Sequence, residues 1–149
     1  MRGLAQLDHR ASVPGAPGPF HPVAVIQVGL RCRALHFLQA TMDDPLVDEA
    51  VVVRWLVHYA NGSAREWPVV YGRHVRDLWW RPGREPLDAS EALLAWRGRA
   101  AIGDLSGTDG VRLFKATWTN PQPDLEVARI EFRVGETSMK PLVVGATAE

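Results

Sequence analysis

The sequence predicts an all-β fold, an antiparallel β-sandwich, on three observations. Eight or so short stretches alternate apolar side chains with a period of two, turn-forming residues separate them, and no stretch carries a convincing long helical pattern. At 149 residues the chain is one domain's worth, enough to bury roughly 68 to 70% of its unfolded surface around one core. Residues 1–149 are therefore read as a single sandwich domain, with 1–22 partly extended and rich in Pro and Gly.

The elements follow in order. Leu4 to Leu7 forms a short strand candidate, and Ser12 to Pro22, with four prolines, can hold neither a helix nor a central strand. Val23 to Val28 is rich in β-branched residues and reads as a strand. In Arg33 to Ala40 neither alternate set is fully polar, which suits a strand covered on both sides. Val51, Val53, Trp55, Val57 and Tyr59 form a wholly apolar set. Asn61-Gly62 then suggests a type I′ hairpin turn into Arg65 to Val70. Pro68 has no N–H, which places that strand at an edge or Pro68 at an unpaired position.

Tyr71 to Arg84 breaks the pattern and closes on the turn signal Arg81-Pro82-Gly83. Ser90 to Arg97 fits a capped helix or a strand, and strand is preferred among these neighbours. After a glycine-rich loop at Gly103 to Gly110 come the strands Val111 to Thr119, Glu126 to Val134 and Pro141 to Thr147. In the second of these, Ala128, Ile130, Phe132 and Val134 oppose the wet set Arg129, Glu131 and Arg133. Trp55, Phe114, Ile130 and Phe132 are the expected core.

Bulk numbers narrow the partners. Seventeen basic and seventeen acidic side chains cancel, so the basic footprint of a nucleic-acid binder is missing and no nucleic-acid partner is expected. No stretch approaches the roughly 20 apolar residues of a membrane span, and the N-terminus lacks a signal peptide's apolar run. Cys32 is the sole cysteine and excludes an intrachain disulfide. Neither compartment nor oligomeric state is specified by these features.

Two groups of residues carry a resemblance. One is Tyr59, Ala60, Asn61, Gly62, then Val69 to Gly72, Val75, Arg76, Asp77, Trp79 and Trp80. The other is Thr117, Trp118, Asn120, Pro121, Pro123, Asp124, Glu126 and Val127, before Ile130 and Phe132. With Leu35 to Leu38, Ala40 and Thr41, they resemble a β-sandwich domain that recurs in multidomain bacterial proteins. Its architecture is similar to the jelly rolls of galactose-binding-like and carbohydrate-binding modules. The resemblance, from Val23 onward, implies a jelly-roll type of sandwich lacking an N-terminal edge strand and an accessory module, and it carries no activity over to this chain. Leu78, inserted between Asp77 and the tryptophans, departs from the pattern and reverses the face a following side chain shows.

Tyr71, Arg73, His74, Arg76, Asp77, Trp79 and Trp80 form the candidate ligand-binding segment. An indole can cover the C–H face of a sugar while Arg and Asp bond its hydroxyls. The competing reading puts the tryptophans in the core and gives Arg76 a carboxylate partner that holds the loop. Asp124 and Glu126 share a strand face at a spacing compatible with paired catalytic carboxyls. No other residue supports catalysis, and Trp118 to Glu126 reads better as a rigid corner with Asn120 and Asp124 bonding backbone groups.

Asp43, Asp44, Asp48 and Glu49 lack calcium-loop spacing and read as a solvated turn, as do Asp104 and Asp109. His36 and His58, on strands that could be neighbours, lack the third ligand zinc needs. Cys32, between Arg31 and Arg33, would have a lowered pKa if exposed, although a small buried residue is the default. No metal, cofactor or catalytic residue is expected. The expected function is a non-catalytic accessory binding module with a saccharide as favoured ligand. The alternative is a protein interaction or structural module, signalled by a flat apolar patch beside an open edge strand rather than a concave aromatic platform.

Overall fold

The computed structural model describes residues 22–42, 47–99, 110–134 and 139–149. The Leu4 to Leu7 strand, most of the Pro-rich stretch, Asp43, Asp44, Asp104, Asp109 and most of the glycine-rich loop lie outside them. Nine strands are described: β1 (Pro22–Arg31), β2 (Ala34–Met42), β3 (Val51–Tyr59), β4 (Ala64–Val70), β5 (Trp79–Trp80), β6 (Ala92–Gly98), β7 (Gly110–Thr119), β8 (Glu126–Val134) and β9 (Lys140–Ala148).

These strands form two antiparallel sheets packed as a sandwich. Sheet A runs β1-β8-β3-β4. In sheet B, β9, β2 and β7 lie side by side, β6 pairs the opposite edge of β7, and β5 pairs residues 110–111 of β7. Only β3/β4 and β6/β7 are sequence-adjacent partners within a sheet. β5 and β7 are joined through β6 of the same sheet, and the remaining neighbours arrive by crossing between sheets.

The inner faces follow from alternation. Trp55 pairs with Phe132 and Val57 with Ile130 across β3 and β8. Leu35 pairs with Trp118 and Phe37 with Ala116 across β2 and β7. All eight are buried, including three of the four expected core residues, Trp55, Ile130 and Phe132. Phe114, the fourth, is fully buried as well. The rings interlock: Phe37 stacks on Trp55 at 4.2 Å between centroids, and Phe132 meets Trp55 edge-on at 4.7 Å, both favoured aromatic geometries.

Two local expectations need correction. The β3–β4 turn is not type I′: Gly62 has φ 86° but Asn61 does not have a positive φ. Gly62 N donates to Tyr59 O and Tyr59 N to Ser63 O, the pattern of a three-residue loop in which a type I turn ends on a left-handed glycine. Asn61 Oδ1 accepts from Ser63 N and Oγ instead, at 3.0 and 2.7 Å, so its side chain does the turning. In β8 a register shift opposite His58 and Tyr59 brings Val127 inward, leaving Ala128 half-buried. Pro68 lies in β4, an edge strand, as its missing N–H requires.

One end of the sandwich is tied by Asn120. Its Oδ1 accepts from Tyr59 Oη at 2.6 Å and from Gln122 N at 2.9 Å, while its Nδ2 donates to Cys32 O at 2.8 Å. The corner expected between Trp118 and Glu126 thus joins three turns. Cys32 is buried beside it, and burial pushes its thiol pKa up rather than down. The outer face of sheet A is wet and ion-paired: Arg54 with Glu66 at 2.6 Å, His58 with Glu131 at 3.0 Å, Arg133 with Glu131 at 2.8 Å.

Candidate functional site

The segment from Tyr71 to Glu91 leaves β4, folds across the other end of the sandwich and enters sheet B. Gly72 is the pivot: its N donates to Val75 O and its carbonyl accepts from Ser90 N. Its φ is +84°, which favours glycine, and a Cβ there would lie 2.7 Å from Asp48 Oδ1 and displace the carboxylate that Arg76 holds. Thr41 N then donates to Arg76 O and Leu78 N to Thr41 O, which zips the segment onto the end of β2. Asp77 Oδ1 accepts from Trp79 N at 2.8 Å, turning the chain into β5.

Inside this end lies a charged network. Arg112 is fully buried on the inward set of β7 with Phe114, Ala116 and Trp118. Its Nε donates to Asp77 O at 2.9 Å and its Nη1 to Pro86 O and Leu87 O at 2.6 and 2.8 Å, while Nη2 pairs with Glu85 Oε1. Tyr71 Oη donates to the other Glu85 oxygen at 2.7 Å. Arg76 lies 3.6 Å from that same oxygen, donates through Nη1 to Asp48 at 3.0 Å and through Nε to Asp88 O at 2.8 Å. Burial pulls the Arg112 pKa down and the Glu85 carboxylate opposes the shift. The planar fork is thus spent on fixed carbonyls and one carboxylate, an arrangement that fastens a loop.

Leaving His74 aside, the other six candidate site residues therefore separate. Tyr71, Arg76 and Asp77 are buried within this network. Arg73 is exposed and bonds Glu49 at 2.5 and 3.1 Å, and that bond holds the Glu49 carboxyl below the usual range. Trp79 and Trp80 are half-buried, the latter under the Arg97 guanidinium at 4.5 Å. No common surface is made by all six. Sequence reasoning passed over Arg112 and Glu85, although Arg112 stands out as the one charge in an otherwise apolar inward set.

His74, in the same segment, accepts from Val70 N through Nδ1 at 3.0 Å and packs edge-on against Trp67 at 5.2 Å. Burial lowers its pKa from the ordinary 6.5, against the pull of Glu91. A depressed histidine pKa means the unfolded chain takes up the proton first as pH falls. The His74 contribution is therefore complete above about pH 6.5 and is lost as pH falls through the folded pKa. Thermal melts between pH 7.5 and 5.5 should fall more steeply for the native chain than for His74→Asn, whose Oδ1 can accept from Val70 N without titrating. Parallel curves would count against this assignment.

Other expectations resolve simply. His36 and His58 lie on β2 and β3, in different sheets, both on outward sets, so no metal can bridge them. His36 instead meets Thr117 at 2.9 Å and Glu149 at 2.8 Å. Asp48 and Glu49 are paired with Arg76 and Arg73. Among the described residues, no cluster of three or more His, Cys, Asp or Glu could hold a metal ion, and no helix is long and apolar enough to cross a membrane.

Two hollows lie elsewhere. An apolar groove of about 140 Å³ opens between the edge strands β1 and β9, lined by Ile26, Val28, Leu30, Leu35, Ala146 and Ala148. A shallower polar cleft of about 560 Å³ lies against Arg31, Cys32, Arg33, Pro123, Asp124 and Glu149, without an aromatic side chain.

The largest exposed apolar side chains gather differently. Leu93 is 68% and Trp96 49% exposed, both on the edge strand β6. In register they face Lys115 and Leu113 of β7 on the outer face of sheet B. Trp96 lies over Gly98, where a Cβ would come within 2.4 Å of the indole. No protein-family model, curated protein or solved structure matches this chain.

Proposed function

We propose that the protein is a non-catalytic interaction module that takes a protein partner along β6 and the adjoining outer face of sheet B. One observation carries the reading: an edge strand, bridged on its side away from β7 at Ala92 by Ala89, displays Leu93 and Trp96 to solvent. Exposed tryptophan beside unpaired strand edges suits protein contact, because the indole supplies area and the backbone supplies hydrogen bonds. A saccharide has less support. Stacking on sugar needs an indole beside polar groups in a concavity, whereas Tyr71, Arg76 and Asp77 face inward and the polar cleft has no ring.

A displayed library of short peptides and a glycan array test this together. Peptides should be selected, and their binding should drop at least tenfold in Leu93→Ser and Trp96→Ser, about 1.4 kcal/mol each. Both variants should melt close to the native chain, since surface substitutions seldom exceed about 0.5 kcal/mol. Glycans bound in their place, with loss in Trp79→Ala, would overturn the reading in favour of the sugar.

A further inference from the structure

We propose that β6 is a docking edge for an extended acidic segment of a partner protein, which adds to sheet B as a further strand. This rests on the interaction reading above and names the chemistry of its partner.

The edges of the two sheets are not alike. Edge strands invite pairing unless proline, charge, shortness or a bulge blunts them. β4 carries Pro68 with Arg65 and Glu66, β9 opens on Lys140-Pro141, and β1 opens on Pro22 and shifts register around Gly29. From Ala92 to Trp96, β6 has neither proline nor charge. Its register shift falls between Leu94 and Trp96, so Ala92 to Leu94 runs in unbroken register with β7. Ala92 is bridged on its other side to Ala89, and past that bridge alternate backbone N–H and C=O groups from Leu93 onward point away from β7, as in any two-stranded ladder.

Charge sets the partner. Although the whole chain is neutral, its charges are sorted between the sheets. The strands of sheet B contain no Asp or Glu, and although His36 pairs with Glu149, Arg97 covers Trp80 and the buried Arg112 is taken by Glu85, Lys115 on the outer face is left beside Leu93. The strands of sheet A, in contrast, hold Glu66, Glu126 and Glu131 among their arginines and pair two of these internally. Lys115 stands directly beside Leu93 in register, and Arg99 follows the end of β6. Neither makes an ion pair among the described residues.

A strand added at β6 would lie about 10 Å, two strand spacings, from the Lys115 backbone. An extended lysine and a glutamate side chain can close that distance over Leu93. Apolar side chains of the same segment would cover Leu93 and Trp96. An acidic, apolar-alternating segment satisfies all three features, whereas a basic one would meet only like charge.

Fluorescence anisotropy on the full chain tests this with labelled peptides of about eight residues, a typical strand length. One alternates Val and Glu, a second alternates Val and Lys, and a third is the Val/Glu peptide N-methylated at alternate residues. The Val/Glu peptide should bind at least about tenfold more tightly than Val/Lys. N-methylation, which removes ladder hydrogen bonds, should abolish binding. Lys115→Glu should weaken Val/Glu about tenfold and strengthen Val/Lys, with an unchanged melt. Equal binding of the two charge types, indifference to N-methylation, or binding to phosphatidylglycerol vesicles with none to Val/Glu would each overturn the proposal. If library peptides bind in a Trp96-dependent way but prove basic or N-methylation-tolerant, the interaction module stands and the acidic strand falls. If no peptide binds at all, both fall.

Discussion

Arg112→Met should lower stability by about 3 to 5 kcal/mol, because it leaves a buried carboxylate without its cation. Glu85 keeps only the Tyr71 hydroxyl and the more distant Arg76, and three carbonyls, of Asp77, Pro86 and Leu87, lose their donor together. In a domain of this size each kcal/mol moves the melting temperature by about 2 to 4 °C, so a drop of about 6 to 20 °C is expected. Arg112→Lys should recover little, since an ammonium cannot reach carbonyls on both sides of a planar fork. The Arg112→Met and Glu85→Leu changes combined should cost at least about 1 kcal/mol less than their sum, the mark of two partners in one network. An unchanged urea midpoint in Arg112→Met would show that the network does not hold this end of the fold.

The second large effect belongs to the apolar centre. Phe132→Ala should cost about 3 to 5 kcal/mol, because the ring is fully buried, sits edge-on to Trp55 at 4.7 Å and belongs to a strand flanked on both sides. Neighbouring rings on three strands cannot close the resulting cavity without leaving their own stacked geometry. Urea denaturation followed by tryptophan fluorescence and by circular dichroism measures it. A native midpoint would mean that Phe132 does not face Trp55 and that the β8 register is wrong.

Alternation made most of the strands legible. Trp55, Phe114, Ile130 and Phe132 sit where period-two sets placed them because a half-buried strand admits no other arrangement. Turn geometry was less legible: Asn61-Gly62 fits two hairpin types, and the hydrogen bonds of Tyr59 and Ser63 choose between them. The candidate segment was legible as an irregularity but not in its role. Tyr71, Arg76 and Asp77 look alike on a loop and in a buried network, because their Glu85 and Arg112 partners come from other parts of the chain. Leu93 and Trp96 could not be separated from core residues by pattern, since exposure depends on β6 being an edge, and strand order is not written in periodicity.

The pairing order also governs how the chain must be born. β7 and β8 occupy the centres of the two sheets, yet six of the nine described strands leave a ribosome before them. Before them, the only same-sheet neighbours available among the described strands are β3 and β4, and a lone hairpin is marginal in water. β1, β2, β5 and β6 must wait with their apolar sets uncovered until β7 and β8 arrive. The described strands therefore keep apolar sets uncovered while β1 to β6 emerge and condense through closures spanning up to the β1–β8 separation, the slow regime of folding.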